Sequence, residues 1–326
     1  GAALAAECLY EYRAVVWDNH GEMAEAVGTF ETGLLAGTNF KAKWVTHPFS
    51  AEETACPVFV KEIALEKKVK RARIYATALG VYEIRLDGKK VGNAFFAPGW
   101  TNYKKRLQYQ TYDATELFGE KDSGKHVLEI TVGNGWYKGI LGFTCTPCNY
   151  GDKAALLAQL HVTYDDGTEE VFATGDDWRV KTGPVRYSEL YMGETIDSTW
   201  KSEDAAAVEP FSYPMEQIVS QECEPVRITK RIAAKGLIVT PKGEKVLDFG
   251  QNMAGFVEVR VQAKPGQKIT VRHAETLDKD GNFYPDTLRQ AKSVDTYICD
   301  GTAQTFLPHF TFHGFRYLCV EGLDEL

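Results

Sequence analysis

The sequence has no long apolar run. Stretches such as 154–158 and 237–239 are among its longest, far short of the ~20 residues a membrane-spanning helix needs. A surplus of basic charge is also missing: 37 Lys and Arg stand against 45 Asp and Glu, a formal net charge of −8. Neutralising phosphates takes clustered cations, so no nucleic-acid or membrane partner is expected. Two short basic groups, Lys67-Lys68-Val69-Lys70-Arg71 and Lys104-Lys105-Arg106, read as solvated strand ends. Paired cysteines are missing too. The seven (Cys8, Cys56, Cys145, Cys148, Cys223, Cys299 and Cys319) are odd in number and scattered, which argues against a disulfide framework. Cys145-Thr146-Pro147-Cys148 is a lone CxxC. Zinc would require two further ligands at recognisable spacing, and a redox CxxC should open a helix, whereas 147–151 reads as a loop. No metal or cofactor is expected. Residues 1–9 lack the basic region of a secretory leader, and the free thiols lean towards a cytoplasmic home.

Helical periodicity is scarce. No segment of that period exceeds about ten residues, which excludes doubly wound and (β/α)8 folds; 115–119 and 286–291 read as single turns. The stretch 250–255 is glycine-bounded, but no Gly-Lys-Ser/Thr follows it, so it is not a phosphate loop. Gly-x-Ser-x-Gly is missing as well.

The sequence is rich in aromatics (6 Trp, 16 Tyr and 17 Phe) and in period-two alternation. Residues 81–86 run into Asp87-Gly88, the pair favoured where both central turn residues take positive φ. Asp165-Asp166-Gly167, Thr240-Pro241-Lys242-Gly243, Lys264-Pro265-Gly266-Gln267 and Cys299-Asp300-Gly301 end other alternating runs. Strands recurring every 8–12 residues or so predict an all-β chain of sandwiches or barrels. Three units emerge. Residues 1–35 hold two strands around Asp18-Asn19-His20-Gly21; two strands make no independent core, so this reads as the tail of a small sandwich. Residues 36–200 form a second unit, 201–220 a linker rich in Ala, Pro and acids, and 221–326 a third β unit. Both termini read as cuts.

Several motifs are specific. Phe30-Glu31-Thr32-Gly33-Leu34-Leu35 followed by Ala42-Lys43-Trp44-Val45, then Pro98-Gly99-Trp100-Thr101-Asn102-Tyr103 with Tyr109-Gln110-Thr111-Tyr112-Asp113, resemble bacterial α-L-rhamnosidases of glycoside hydrolase family 78. So do Val132-Gly133-Asn134-Gly135-Trp136-Tyr137-Lys138-Gly139 and Leu247-Asp248-Phe249-Gly250-Gln251-Asn252-Met253-Ala254-Gly255. His273-Ala274-Glu275, Asp295-Thr296-Tyr297 and Phe312-His313-Gly314-Phe315-Arg316-Tyr317 complete the set, in the family's order. The resemblance implies a fibronectin-like domain, two β-sandwiches (carbohydrate-binding-like, of jelly-roll or lectin type, then concanavalin-like), an (α/α)6 catalytic barrel and a small β domain. This chain resembles the end of the first domain and the whole of the next two. The family's acid and base carboxylates lie in the barrel, so no catalytic residue is expected here. The implied partners are L-rhamnose or a rhamnose-containing glycan, and the barrel itself.

In some members the second unit's counterpart holds L-rhamnose through calcium, a hard cation bound by oxygen ligands. Here Lys104 and Lys105 fall where acidic ligands are expected, which would repel calcium. Asn102, Asn134 and Asn149 stand as candidate sugar contacts, with Trp100, Trp136 and Tyr137 as stacking platforms; the plainer reading makes the tryptophans core aromatics between turn glycines. In the third unit Arg289, Asp295, His313 and Arg316 are candidates for docking onto the barrel, with Arg289 and Asp295 expected as a bidentate pair. The plainer reading is an internal network that also includes His273 and Glu275. Glu275, Asp278 and Asp280 suggest a carboxylate pair or a calcium loop, but no Glu follows at EF-hand spacing; a turn closed by Asp and Asn side chains is the expected form.

Overall fold

The computed structural model describes residues 3–119, 124–201 and 204–323. The turn pairs separate strands as their chemistry requires. Asp87 and Gly88 take φ of 51° and 75° and join Val81–Leu86 to Lys89–Lys90, with Leu86 opposite Lys89. Helix is confined to short turns, among them Thr115–Phe118 and Asp286–Leu288 at the two expected places and Gly135–Lys138, which the alternation did not announce. Among the described residues no helix is long and apolar enough to cross a membrane.

Two sheets face each other in the second unit. One runs in the order Glu209–Pro210, Val45–Thr46, Ala155–Tyr164, Val69–Leu79, Leu107–Asp113 and Ile218–Ser220, with Glu169–Ala173 flanking Ala155–Tyr164. The other runs Ala206–Ala207, Arg179–Thr182, Pro57–Leu65, Gly124–Gly133, Val81–Leu86 and Lys89–Lys90. Phe59, Ile63, Ile74, Ile84, Leu160 and Trp178 fill the space between them. Each such side chain adds about 1.5–3 kcal/mol by leaving water. The Trp178 indole N–H stays satisfied by donating to the Ala173 carbonyl at 2.8 Å.

The third unit is one sheet in the order Val185–Glu189, Gly193–Asp197, Val294–Ile298, Lys268–Ala274, His313–Glu321, Lys245–Gly255 and Gly236–Val239. The pair Val259–Gln262 and Ala303–Phe306 packs Val259, Val261 and Phe306 into the same core as Ile269, Val271 and Tyr297. The sheets divide the chain differently from the sequence boundaries. Val185–Glu189 and Gly193–Asp197, placed by sequence in the second unit, lie in the third unit's sheet, where Thr195 pairs in parallel with Thr296. The supposed linker returns to the second unit: Ile218–Ser220 pairs with Leu107–Asp113, and Glu209–Pro210 pairs with Val45–Thr46. A short strand joins whichever edge has open N–H and C=O groups, and five alternating residues do not say which edge that is.

The seam between the second and third units has its own core of Cys56, Val81, Phe96, Val185 and Phe310. Glu194, wholly buried there, accepts the backbone N–H groups of His309 and Phe310 at 3.0 and 2.9 Å. Burial pushes its carboxyl up to about 7. Glu83 of the second unit meets His309 of the third at 3.4 Å and Lys90 at 2.8 Å.

The first unit is a hairpin of Leu9–Trp17 against Met23–Glu31. Glu31 ties it to Arg71 and Arg73. Leu9, Val16, Trp17, Met23 and Val27 remain exposed on it.

Candidate functional site

Of the residues singled out around Trp100 and Trp136, Trp136 packs against the seam core and Asn134 reaches Glu189, while Tyr137 lies in a core inside the second unit. Trp100 follows the turn at Gly99 and is 57% exposed. Its ring lies parallel to that of Trp136, with a 1° interplanar angle and centroids 6.2 Å apart, and its indole N–H donates to the Tyr150 hydroxyl at 3.4 Å. Trp136 is half-buried, its edge against Phe96. Gly135 makes this possible. Its φ is +52°, and an added Cβ would stand 2.7 Å from Val81 Cγ1 and 3.0 Å from the Val81 backbone nitrogen, so a side chain there meets both strain and a wall.

The three asparagines are used locally. Asn102 Oδ1 accepts the Lys104 N–H at 3.1 Å, closing its turn. Asn149, exposed, donates to the Thr146 carbonyl at 2.6 Å. Asn134 donates to Glu189 Oε1 at 3.1 Å, and Glu189 Oε2 accepts the Ile140 N–H at 3.0 Å. Burial raises the pKa of Glu189. Tyr137 is buried, edge-on to Tyr103 at 5.4 Å; it is a wall and not a platform. Lys104 and Lys105 are exposed beside Asn102. Cys145 and Cys148 are free thiols, and the Cys148 N–H bonds the Lys138 carbonyl at 2.8 Å, fastening the 141–150 loop to the helical turn.

The docking candidates separate. Arg289 lies over Phe143 at 5.5 Å; Phe143 is 81% exposed at the tip of that same loop. The expected Arg289–Asp295 pair is therefore not formed. Asp295 is 0% exposed, and its Oδ1 accepts the Glu194 N–H at 3.1 Å and faces His313 Nε2 at 3.1 Å. Asp295 and His313 are thus sealed from any docking partner. Arg316 forms the bidentate pair instead, with Asp248 at 2.8 and 2.9 Å. The 278–282 turn takes its expected form, Asp278 Oδ1 accepting the Asp280 and Asn282 N–H groups. Glu275 accepts from Asn252.

Sequence reasoning missed Glu189, Phe143 and Tyr150. Tyr150 and Phe143 carried a weak signal, as aromatics within the loop that holds Cys145 and Cys148. Glu189 carried none, because it arrives on a strand of the other sheet. A second aromatic groove of about 440 Å³, walled by Phe40, Trp44, Phe211 and Tyr213, also went unread.

One exposed indole and a second, half-buried one, over a seam with a half-buried amide and a buried carboxylate, offer stacking and hydrogen bonding, the chemistry by which proteins hold sugars. The fold defines the class as tandem β-sandwich modules. The comparisons narrow it. Residues 67–230 match the α-L-rhamnosidase N-terminal domain and 238–326 the bacterial α-L-rhamnosidase concanavalin-like domain. The chain belongs to the α-L-rhamnosidase family, glycoside hydrolase family 78. An α-L-rhamnosidase of Streptomyces avermitilis is 46% identical over 268 residues, 78% of this chain and 26% of that protein. One from Formosa agariphila is 34% identical over 91% of this chain and 34% of its own length. The solved α-L-rhamnosidase of Aspergillus terreus superposes with a TM-score of 0.92 at 32% identity, over 99% of this chain and 39% of that one. The S. avermitilis enzyme complexed with L-rhamnose gives 0.88 at 28% identity, over all of this chain and 49% of that one. The chain spans 26–38% of the length of its curated relatives.

Proposed function

We propose that this chain is a non-catalytic accessory β region of an α-L-rhamnosidase, which presents rhamnose-containing glycans to, and braces, a catalytic barrel in the parent protein. The parent would remove terminal α-L-rhamnose from glycosides or polysaccharides by carboxylate acid–base catalysis with inversion. The observation that carries this reading is the match of both β domains, in order, to an α-L-rhamnosidase structure at a TM-score of 0.92 while covering 39% of that chain. Within the chain, the Trp100–Trp136 ledge supplies the sugar platform, and Arg289 with Phe143 supplies an exposed cation and ring beside it.

A second reading, an autonomous lectin-like module, is favoured by the exposure of Trp100. Titration calorimetry of the chain with L-rhamnose, with and without calcium, combined with an aryl α-L-rhamnoside assay, tests both readings. The expected result is no turnover, and weak binding that calcium does not strengthen and that Trp100→Ala abolishes. Turnover lost on mutating a carboxylate of this chain would end the non-catalytic reading. Calcium-dependent binding would show that Lys104 and Lys105 do not exclude the ion.

A further inference from the structure

The cluster sealed beneath the third sheet is short of a cation. His273, Asp295 and His313 come from the strands Lys268–Ala274, Val294–Ile298 and His313–Glu321, which lie side by side in the order Val294–Ile298, Lys268–Ala274, His313–Glu321. Their exposures are 0%, 0% and 3%. His273 Nδ1 lies 2.8 Å from the Ser293 carbonyl oxygen. A carbonyl only accepts, so Nδ1 carries the proton and Nε2 is a bare lone pair. That lone pair faces Asp295 Oδ2 at 3.9 Å, acceptor against acceptor.

His273 Nε2 and Asp295 Oδ2 are both buried without a hydrogen-bond partner, and so are the other ring nitrogen of His313, Nδ1, and the hydroxyl of Tyr297. Buried polar groups are normally paired, and each orphan costs about 1–3 kcal/mol. Two of them, His273 Nε2 and Asp295 Oδ2, face each other, which is a pattern rather than an accident. Among the described residues Asp295 has no Lys or Arg partner, and its ion-pair contacts are the two imidazoles.

A divalent ion would give the His273 Nε2 lone pair and the Asp295 carboxylate a shared partner. One ligand atom from each of the three residues lies within 4.8 Å of the other two. Ligands about 2.0–2.1 Å from a tetrahedral zinc stand roughly 3.3 Å apart. The contacts of 3.1 Å (His313 Nε2 to Asp295 Oδ1) and 3.9 Å (His273 Nε2 to Asp295 Oδ2) run to the two oxygens of one carboxylate, and both are close to that edge. The His273 proton on the Ser293 carbonyl is the outer hydrogen bond that fixes a ligating imidazole's tautomer. Tyr297, two residues along the strand from Asp295 and so on the same face, brings an unpaired oxygen to that side of the sheet.

We propose that His273, Asp295 and His313 form a structural metal site that takes a first-row divalent cation, zinc foremost, and clips three neighbouring strands together. Two imidazoles and a carboxylate are borderline ligands suited to zinc. The absence of thiolate separates this site from Cys145 and Cys148. The inference does not depend on the rhamnosidase reading, because its test uses metal content and spectra and not sugar binding or turnover.

The experiment is metal analysis of the purified chain after gel filtration, with melting curves before and after dialysis against a zinc chelator and cobalt(II) substitution of the stripped protein. The expected result is about one zinc per chain, a lower melting temperature once stripped that added zinc restores, and a cobalt spectrum of nitrogen and oxygen ligation without thiolate charge transfer. Asp295→Asn should lower retained zinc about tenfold or more, and Cys148→Ser should leave it unchanged. The proposal is overturned if the native chain retains no metal and zinc leaves its melting unchanged. A thiolate band, or a folded Asp295→Asn that keeps its zinc, overturns it equally. If Asp295→Asn fails to fold, the cobalt spectrum of the native chain decides alone.

Discussion

The ledge at Trp100 and Trp136 and the cluster at His273, Asp295 and His313 are both written as short runs of aromatic and polar residues, the ledge set among glycines and the cluster within alternating strands. One ends at solvent with an indole 57% exposed; the other ends under a sheet with a carboxylate 0% exposed. The difference lies in what covers them. The ledge sits on loops beyond the ends of Gly124–Gly133 and Val81–Leu86, where no strand crosses. The cluster sits on the three central strands of its sheet, where Glu194 of the neighbouring strand donates its backbone N–H to Asp295. A side chain on a loop tip answers to its ligand, whereas one mid-sheet answers to its neighbours first.

The contrast predicts opposite responses to mutation. Asp295→Ala should have the largest effect, about 3–5 kcal/mol of lost stability, because it strips the shared acceptor from a buried group; a denaturant midpoint close to that of the native chain would show that the cluster is not under load. Gly135→Ala should cost about 2 kcal/mol from left-handed strain and the Val81 contact, and it should turn Trp136 away, seen as changed tryptophan fluorescence. A loss of stability without that change would detach Gly135 from the ledge.

Between the two regions lies the Glu83–His309 contact, whose effect depends on pH. Burial disfavours the charged form of Glu83, but His309 and Lys90 overcome it and hold the carboxyl well below the usual 4.5. Burial likewise opposes the His309 imidazolium, yet Glu83 and Glu194 raise its pKa above the usual 6.5, against a smaller opposing push from Arg85. The raised histidine stabilises fully below its unfolded pKa, and this is lost as pH rises through the folded value. The depressed carboxyl stabilises above its unfolded pKa, and this is lost as pH falls. The Glu83–His309 contact should therefore stabilise most between roughly pH 4.5 and 6.5 and weaken above that window, while Glu194, raised by burial to about 7, adds a loss of its own as pH rises above its unfolded value. Glu83→Gln should flatten the alkaline limb of a melting-temperature profile, and an unchanged limb would remove His309 from the account. The smallest stability effect belongs to Trp100→Ala, within about 0.5 kcal/mol, alongside the largest effect on sugar binding; a large stability loss would make Trp100 a structural residue.

Period and turn chemistry made the all-β architecture legible, because Asp-Gly and Pro-Gly pairs state where a strand stops. Alternation also states which residues share a face, but not what covers that face. Hence Asp295 and His313 read equally as docking candidates or as an internal network, and burial decides for the network, while Arg289 lies on Phe143 and not on Asp295. Burial along His313–Glu321 shows the limit: His313 and Phe315 point inward, but the next buried residues are Leu318 and Cys319. The alternation slips, and no residue type announces the slip. Asn134 was visible and its partner Glu189 was not, since a pairing across 55 residues leaves no local trace.

The interleaving of strands carries a practical consequence. The chain leaves the second unit at 185, returns at 206 and leaves again after 220. Anyone excising the second unit by a single cut near 200 would remove its Ile218–Ser220 edge and keep two strands belonging to the other sheet. For protein engineers and for recombination alike, the transferable module is the intertwined pair, and swaps between relatives should succeed when both halves travel together.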